Sequence, residues 1–239
     1  MTIRLRPTTL AMFLALAAAP LQPAAGQDAD WDRWSVSIAI GPTRGGPAKT
    51  MSRQLAGEGW DDDMPGLFRG SLAFPFHQEP EPGSAIRVGY RFRPGYGVAL
   101  MRAKDLLGYA SGYRDNETLG NHLGFQPSVR TLAVLGSFFP TGAHEPFMIR
   151  LDAGPALYDA RIGRDGVRER RLGLVLGGGA GLRVWKLRLS VDLQTRQVGE
   201  LEYGPLEVVN SLTGEVDGFG EHRANFDHTT ILFGLGLTL

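Results

Sequence analysis

The sequence predicts an all-β protein, an eight-stranded antiparallel up-and-down transmembrane β-barrel with a short helix in the first external loop. Three observations predict it. Eight segments alternate large apolar residues with small or polar ones at a period of two. The connections between them alternate between long and short. After the first 26 residues no stretch approaches the roughly 18 uninterrupted apolar residues of a membrane-spanning helix, so strands must make any crossing.

Composition narrows the classes further. Without cysteine there is neither a disulfide scaffold nor a lipid-anchored cysteine. Glycine, at 33 of 239 residues, is about twice as frequent as usual, yet no triplet repeats and no long Pro/Gly/Ser tract occurs, so it serves a folded β-rich chain. Lys and Arg total 25 against 25 Asp and Glu, and only Lys49, Lys104 and Lys186 are lysines. No basic footprint marks a nucleic-acid partner.

At the start, Arg4 and Arg6 precede the apolar run Leu10 to Ala19, then Pro20 and small residues ending Ala24-Ala25-Gly26. This reads as a secretory signal peptide over 1–26, cleaved before Gln27, with 27–239 as the barrel domain. The apolar run is about half the length a bilayer-spanning helix needs.

The strands follow in order. Trp34 to Ile40 sets Trp34, Val36, Ile38 and Ile40 against Ser35, Ser37 and Ala39, and Ile86 to Phe92 sets Ile86, Val88, Tyr90 and Phe92 against Arg87 and Arg91. Tyr96 to Met101 turns Tyr96, Val98 and Leu100 one way, and Arg130 to Phe138 turns Leu132, Val134 and Phe138 outward. Phe147 to Tyr158 alternates Phe147, Ile149 and Leu151 with Met148, Arg150 and Asp152. Leu172 to Val184 places Leu172, Leu174, Leu176, Ala180, Leu182 and Val184 opposite Gly173, Gly177, Gly179, Gly181 and Arg183. In Leu187 to Gln194 every odd position is a large aliphatic, which no helix could gather on one face. Ile231 to Leu239 repeats that pattern.

The connections 42–84, 103–127, 161–170 and 199–226 are long, whereas 93–95, 140–145 and 185–186 are short. Outer-membrane barrels have short periplasmic turns and longer external loops, which puts both termini in the periplasm. Trp34, Tyr90, Phe92, Tyr96, Phe138, Phe147 and Trp185 fall at the short-turn ends and form a candidate periplasmic aromatic girdle.

Eight strands enclose room for side chains and little else. The inward positions predict a polar lumen network of Arg87, Arg91, Arg150, Asp152, Arg183, Arg188, Asp192 and Gln194. Arg183 and Arg188 face each other across the 185–186 turn, which is unfavourable without acids nearby, and Asp152 and Asp192 are the candidate partners. This is a structural network before it is a conduction path, although an excess of Arg leaves a small anion-preferring leak open.

In the first long connection, Met51 and Leu55 stand four apart in Ala48 to Ala56, predicting a short amphipathic helix stopped by Gly57 and Gly59, with Trp60 also pressed on the rim. Asp61 to Asp63 reads as a solvated run and lacks the spacing of a calcium loop. His77, His122, His144, His222 and His228 show no paired metal-ligand spacing. Ser111, His122, His222 and Glu221 can be assembled on paper, as any long polar loops allow, but no nucleophile elbow, phosphate loop or dinucleotide fingerprint exists. The sequence therefore predicts no catalytic residue, no cofactor and no metal. The Gly177 to Gly181 run lies inside a strand and relieves crowding or bends the wall.

Taken together, the leader, the eight alternating segments, the long and short connections and the last strand Ile231 to Leu239 resemble the small outer-membrane β-barrels of Gram-negative bacteria, the OmpA/OmpX-like and OmpW-like porin-type families. The resemblance covers the chain after the leader and is architectural. It implies delivery by periplasmic chaperones and insertion by the barrel-assembly machinery, with outer-membrane lipids and lipopolysaccharide as partners. Those families usually finish on an aromatic residue, where this chain has Leu239. The expected function is non-enzymatic, structural or adhesive, through the external loops. A narrow channel for small or apolar solutes, a lipid-modifying enzyme and a soluble lipocalin-like carrier are the alternatives, since a fold does not fix a function.

Overall fold

Hydrogen bonding passes from strand to strand until the last meets the first. The computed structural model describes residues 33–60, 81–93, 95–114, 121–141, 146–162, 167–209 and 216–239, all in the unit Asp32–Leu239. The expected leader, Asp61 to Asp63, His77 and His144 lie outside the described residues. In chain order the elements are β1 (Trp34–Gly45), α1 (Ala48–Gly57), β2 (Glu81–Arg93), β3 (Tyr96–Leu106), β4 (Ala110–Arg114), β5 (Asn121–Phe125), β6 (Ser128–Phe138) and β7 (Phe147–Arg161). There follow β8 (Arg168–Val184), β9 (Leu187–Gln197), β10 (Glu200–Tyr203), β11 (Leu206–Val209), β12 (Val216–Phe219), β13 (His222–Asn225) and β14 (His228–Thr238).

Eight of these close a barrel in the order β1-β14-β9-β8-β7-β6-β3-β2, every neighbour antiparallel. The Trp34 N–H donates to the Leu239 carbonyl at 3.0 Å and the Leu239 N–H donates to the Trp34 carbonyl at 2.8 Å, so the ends of the barrel sequence seal its seam. Closure leaves no open edge, which is what allows a sheet to sit in hydrocarbon. The remaining six strands form three ribbons at the long-loop end, β4 with β5, β10 with β13 and β11 with β12. The sequence reading left those segments as connections and ended several barrel strands early, at Met101 and Gln194 for example. The structure carries β3 to Leu106 and β9 to Gln197.

Two strands contain a Gly-Pro step, Gly41-Pro42 in β1 and Gly154-Pro155 in β7. They stand diametrically opposed in the ring. Proline has no N–H to give the ladder, and pairing skips there between β1 and β14 and between β6 and β7. The neighbouring backbone uses the gap: a Cβ on Gly154 would lie 1.9 Å from the Val134 carbonyl oxygen, and one on Gly41 1.9 Å from that of Ile231. Gly154→Ala is therefore expected to destabilise the barrel by about 1–3 kcal/mol, read as a lower urea midpoint in micelles. Gly57→Ala, whose Cβ would meet nothing within 4 Å, serves as the control and should leave the midpoint unchanged.

The helix α1 ends as Gly59 adopts φ +81, the left-handed conformation that glycine takes at least cost. The Gly59 N–H bonds the Ala56 carbonyl at 3.1 Å and the Trp60 N–H bonds that of Leu55 at 3.0 Å, the two bonds of a Schellman motif. That motif brings the residue after the glycine back onto the helix, and Trp60 is buried together with Leu55 and Met51.

Candidate functional site

Inside the barrel the charged positions gather into two clusters. Nearer the short turns, Asp152 accepts from Arg87 through both carboxylate oxygens (2.5 and 2.8 Å), from Arg150 Nε at 2.7 Å and from Ser137 Oγ at 2.8 Å. Arg150 then bridges to Asp192 Oδ1 at 2.7 Å. These five side chains are all buried and come from four strands, Arg150 and Asp152 sharing β7. Arg91 lies beside them, donating to Met148 Sδ at 3.2 Å with its guanidinium 4.7 Å from the Phe139 ring centre.

The sequence paired Asp152 and Asp192 with Arg183 and Arg188; the structure gives them to Arg87 and Arg150 instead. Arg183 does pair directly with Arg188 in register, but its side chain is only half-buried and its Nε donates to the Trp185 carbonyl of the turn at 2.8 Å. Arg188 is buried near Arg150 and Asp192. Gln194 belongs to the other cluster, accepting from Arg196 at 3.1 Å.

That second cluster, toward the long loops, was not foreseen. Arg196 donates to Asp105 Oδ2 and, at 3.3 Å, to Thr230 Oγ1, and Thr230 donates to Asp105 Oδ1 at 3.2 Å. His228 Nε2 stands 3.3 Å from Asp105 Oδ2 while its Nδ1 meets the Phe226 carbonyl at 2.8 Å. Asp105, Arg196 and Thr230 are fully enclosed, and His228 nearly so. Their parity is the signal that could have found them: each continues the inward alternation of its strand past the last apolar outward residue. Between the clusters the inward positions are Ala85, Met101, Ala103, Leu135, Ala156 and Leu232, all buried.

Glycine makes room for this filling. A Cβ on Gly179 would lie 1.8 Å from Asp192 Oδ1, on Gly83 2.6 Å from Asp105 Oδ1, and on Gly177 3.1 Å from Gln194 Cγ. Toward the short turns a cavity of ≈ 10 Å³ is lined by Ser35, Arg87, Arg91, Arg150 and Arg188, room for about one water.

The outer wall is the opposite in character. Every barrel strand turns large apolar side chains outward, from Ile38 and Ile40 on β1 to Phe233, Leu235 and Leu237 on β14, with Ile40 and Val184 each 69% exposed. From Ile231 to Leu239 this face runs about 27 Å along the strand, or some 21 Å along the normal at a tilt near 40°, close to the apolar band of such barrels. Exposed to water, so continuous an apolar surface would aggregate. This is a membrane-spanning β-barrel. A lipocalin-like carrier would need the apolar face inward, and here the inward face carries the arginines and aspartates.

At the short-turn end the aromatic side chains border that band. Trp34 and Tyr90 approach to 4.8 Å between ring centres and Tyr96 and Phe138 to 5.3 Å, while Phe92, Phe147 and Trp185 are exposed, Trp185 at 79%.

No family model matches the chain, and no curated protein does. Solved structures similar in fold are Neisserial surface protein A (10% identity, 86% of this chain and 97% of that one covered, TM-score 0.49) and Ail, the attachment invasion locus protein of Yersinia pestis (12%, 87% and 99%, TM-score 0.43). The outer membrane protein AlkL, determined in DMPC bilayers, is also similar (12%, 92% and 96%, TM-score 0.33). The architecture of this chain is a closed eight-stranded antiparallel barrel.

Over the long-loop end α1 packs against β4 and β13. Met51, Leu55 and Trp60 join Leu107, Leu201, Tyr203, Phe219 and Phe226 in the buried core. Polar clamps surround it: Gln54 Nε2 donates to the Arg223 carbonyl at 2.9 Å, Tyr203 donates to Gln54 Oε1, and Glu58 meets His222 Nε2 at 2.6 Å and accepts from the Gly220 N–H at 3.1 Å. Burial pushes the Tyr203 phenol up. His222 is thus engaged by Glu58. Of Ser111 and His122 only the backbone is described, in the β4–β5 ribbon. At the outer edge of β7 and β8, Arg168 donates two hydrogen bonds of 2.7 Å to the Asp159 carboxylate.

Proposed function

We propose that this is an integral outer-membrane protein without catalytic activity, whose capped external end makes contact with lipopolysaccharide, other surfaces or other proteins. One observation carries the reading: the lumen is filled by two clusters of buried ion pairs, while the long-loop end carries a folded cap of helix and ribbons. Polar groups enclosed this fully are out of reach of a solute or substrate, so the surface available for work is the external one. The orientation follows from loop length, short connections in the periplasm and long ones outside. In this reading the 1–26 leader directs export, periplasmic chaperones escort the chain, and the barrel-assembly machinery receives the alternating last strand.

The test has two parts. Full-length protein expressed in a Gram-negative host should fractionate with the outer membrane and shift in gel mobility on boiling. In planar bilayers the purified protein should give no conductance steps. Steady conductance that changes in Arg150→Ala would replace this reading with a narrow channel, and altered lipid A masses in cells carrying the protein would replace it with an enzyme.

A further inference from the structure

Near the long-loop end the outer wall changes from apolar to cationic across β3, β6, β7 and β8. Lys104 on β3 pairs directly with Arg130 on β6, Arg130 with Asp159 on β7, and Asp159 with Arg170 on β8. This is a single row across four strands, about 14 Å long at the usual strand spacing. The row beneath it reads Arg102, Leu132, Leu157 and Leu172, and the row above places Arg161 opposite Arg168. Lys104, Arg130, Arg170 and Arg102 are exposed. The acid of the row, Asp159, is taken by Arg168, with two bonds of 2.7 Å, and by Arg161 at 3.6 Å.

Like charges directly opposite on neighbouring strands destabilise a sheet. Lys104 opposite Arg130, with Arg102 two residues along β3 and diagonal to Arg130, is such a placement; Asp159 faces Arg130 but is bonded to Arg168, and among the described residues none of the three cations forms an ion pair. An anion between them would turn the repulsion into attraction. Across the barrel, the outward positions toward the long-loop ends of β9 and β14 are Thr195 and Thr229, with Arg44 of β1 beside Thr229, and on β2 the row itself ends in Ser84 opposite Lys104. The cationic row also sits directly above exposed Leu132, Leu157 and Leu172. Its ligand must therefore present negative charge at headgroup depth and hydrocarbon just below.

We infer that the β3–β6–β7–β8 wall binds a phosphorylated glycolipid of the outer leaflet, its phosphates bridging Lys104 and Arg130 and its acyl chains lying on the leucines below. This rests on the external orientation proposed above and places lipopolysaccharide contact on the barrel wall, whereas the cap is left for other partners. Arginine and lysine on phosphate give short charge-assisted bonds, and the low dielectric beside the acyl layer strengthens them.

The test uses the full-length barrel in phosphatidylcholine nanodiscs, with lipid A carrying both phosphates, or none, as probe and native mass spectrometry as readout. The bisphosphorylated form should bind and the phosphate-free form should bind far less. The double variant Lys104→Gln/Arg130→Gln should weaken binding about tenfold or more, whereas Arg44→Gln on the opposite wall should not. A heat-shifted gel band establishes that each variant is folded. Equal binding of the two lipid A forms, or undiminished binding by the folded double variant, would overturn the proposal. So would capture of inorganic phosphate with equal strength, which would assign the row to a free anion. Conductance or a wrong cellular location would undo the preceding functional reading and leave this measurement on the purified barrel standing.

Discussion

Asp152→Ala is expected to destabilise the barrel by about 3–5 kcal/mol, the usual consequence of removing one partner from a buried ion pair. Asp152 takes four hydrogen bonds from Arg87, Arg150 and Ser137. Without it, two guanidiniums share Asp192 in an enclosed space that also holds Arg91 and Arg188. The loss exceeds that of the pair's own attraction, because the arginines remain buried and cannot rehydrate. Asp152→Asn keeps the volume and an acceptor and should fall between wild type and alanine. Urea titration in lipid vesicles followed by gel mobility measures both, and a midpoint for Asp152→Ala equal to wild type would show that the cluster does not hold the wall together.

Trp60→Ala is expected to be as large in energy, about 3–5 kcal/mol, but different in place. Trp60 is 1% exposed and closes the core of the cap, held there by the Schellman turn that ends α1. The barrel hydrogen bonds do not pass through it. Limited proteolysis should cut α1 and the β10–β13 ribbon in the variant, while the heat-shifted band of the barrel core persists. Loss of that band would show that cap and barrel unfold as one unit.

The alternation was readable wherever one face met lipid. Leu187, Leu189, Val191 and Leu193 against Arg188, Ser190 and Asp192 leave no alternative to a strand with a polar inner face, and β9 is that strand. The same signal fades where a strand rises above the apolar band. On β3 the outward residues become Arg102 and Lys104, and on β9 and β14 they become Thr195 and Thr229, so the outward face loses its apolar signal while the backbone ladder continues. Lys104, Asp105, Arg196 and His228 sit in those stretches, which look like loop on hydropathy alone, whereas Arg130 of the cationic row already opened a predicted strand. The Arg87 and Arg150 pairings were missed for another reason. Barrel closure sets β2 across the lumen from β7, three strands round the ring, and a list of inward residues contains no information on how far a long guanidinium reaches across a lumen.

The two lumen clusters have a further consequence for charge movement. Proton hopping needs an unbroken chain of groups that both give and take hydrogen bonds, and among the described residues no hydrogen bond joins the Asp152 cluster to the Asp105 cluster. Each cluster is free to polarise within itself, and an apolar layer of Met101, Leu135 and Leu232 lies between the two.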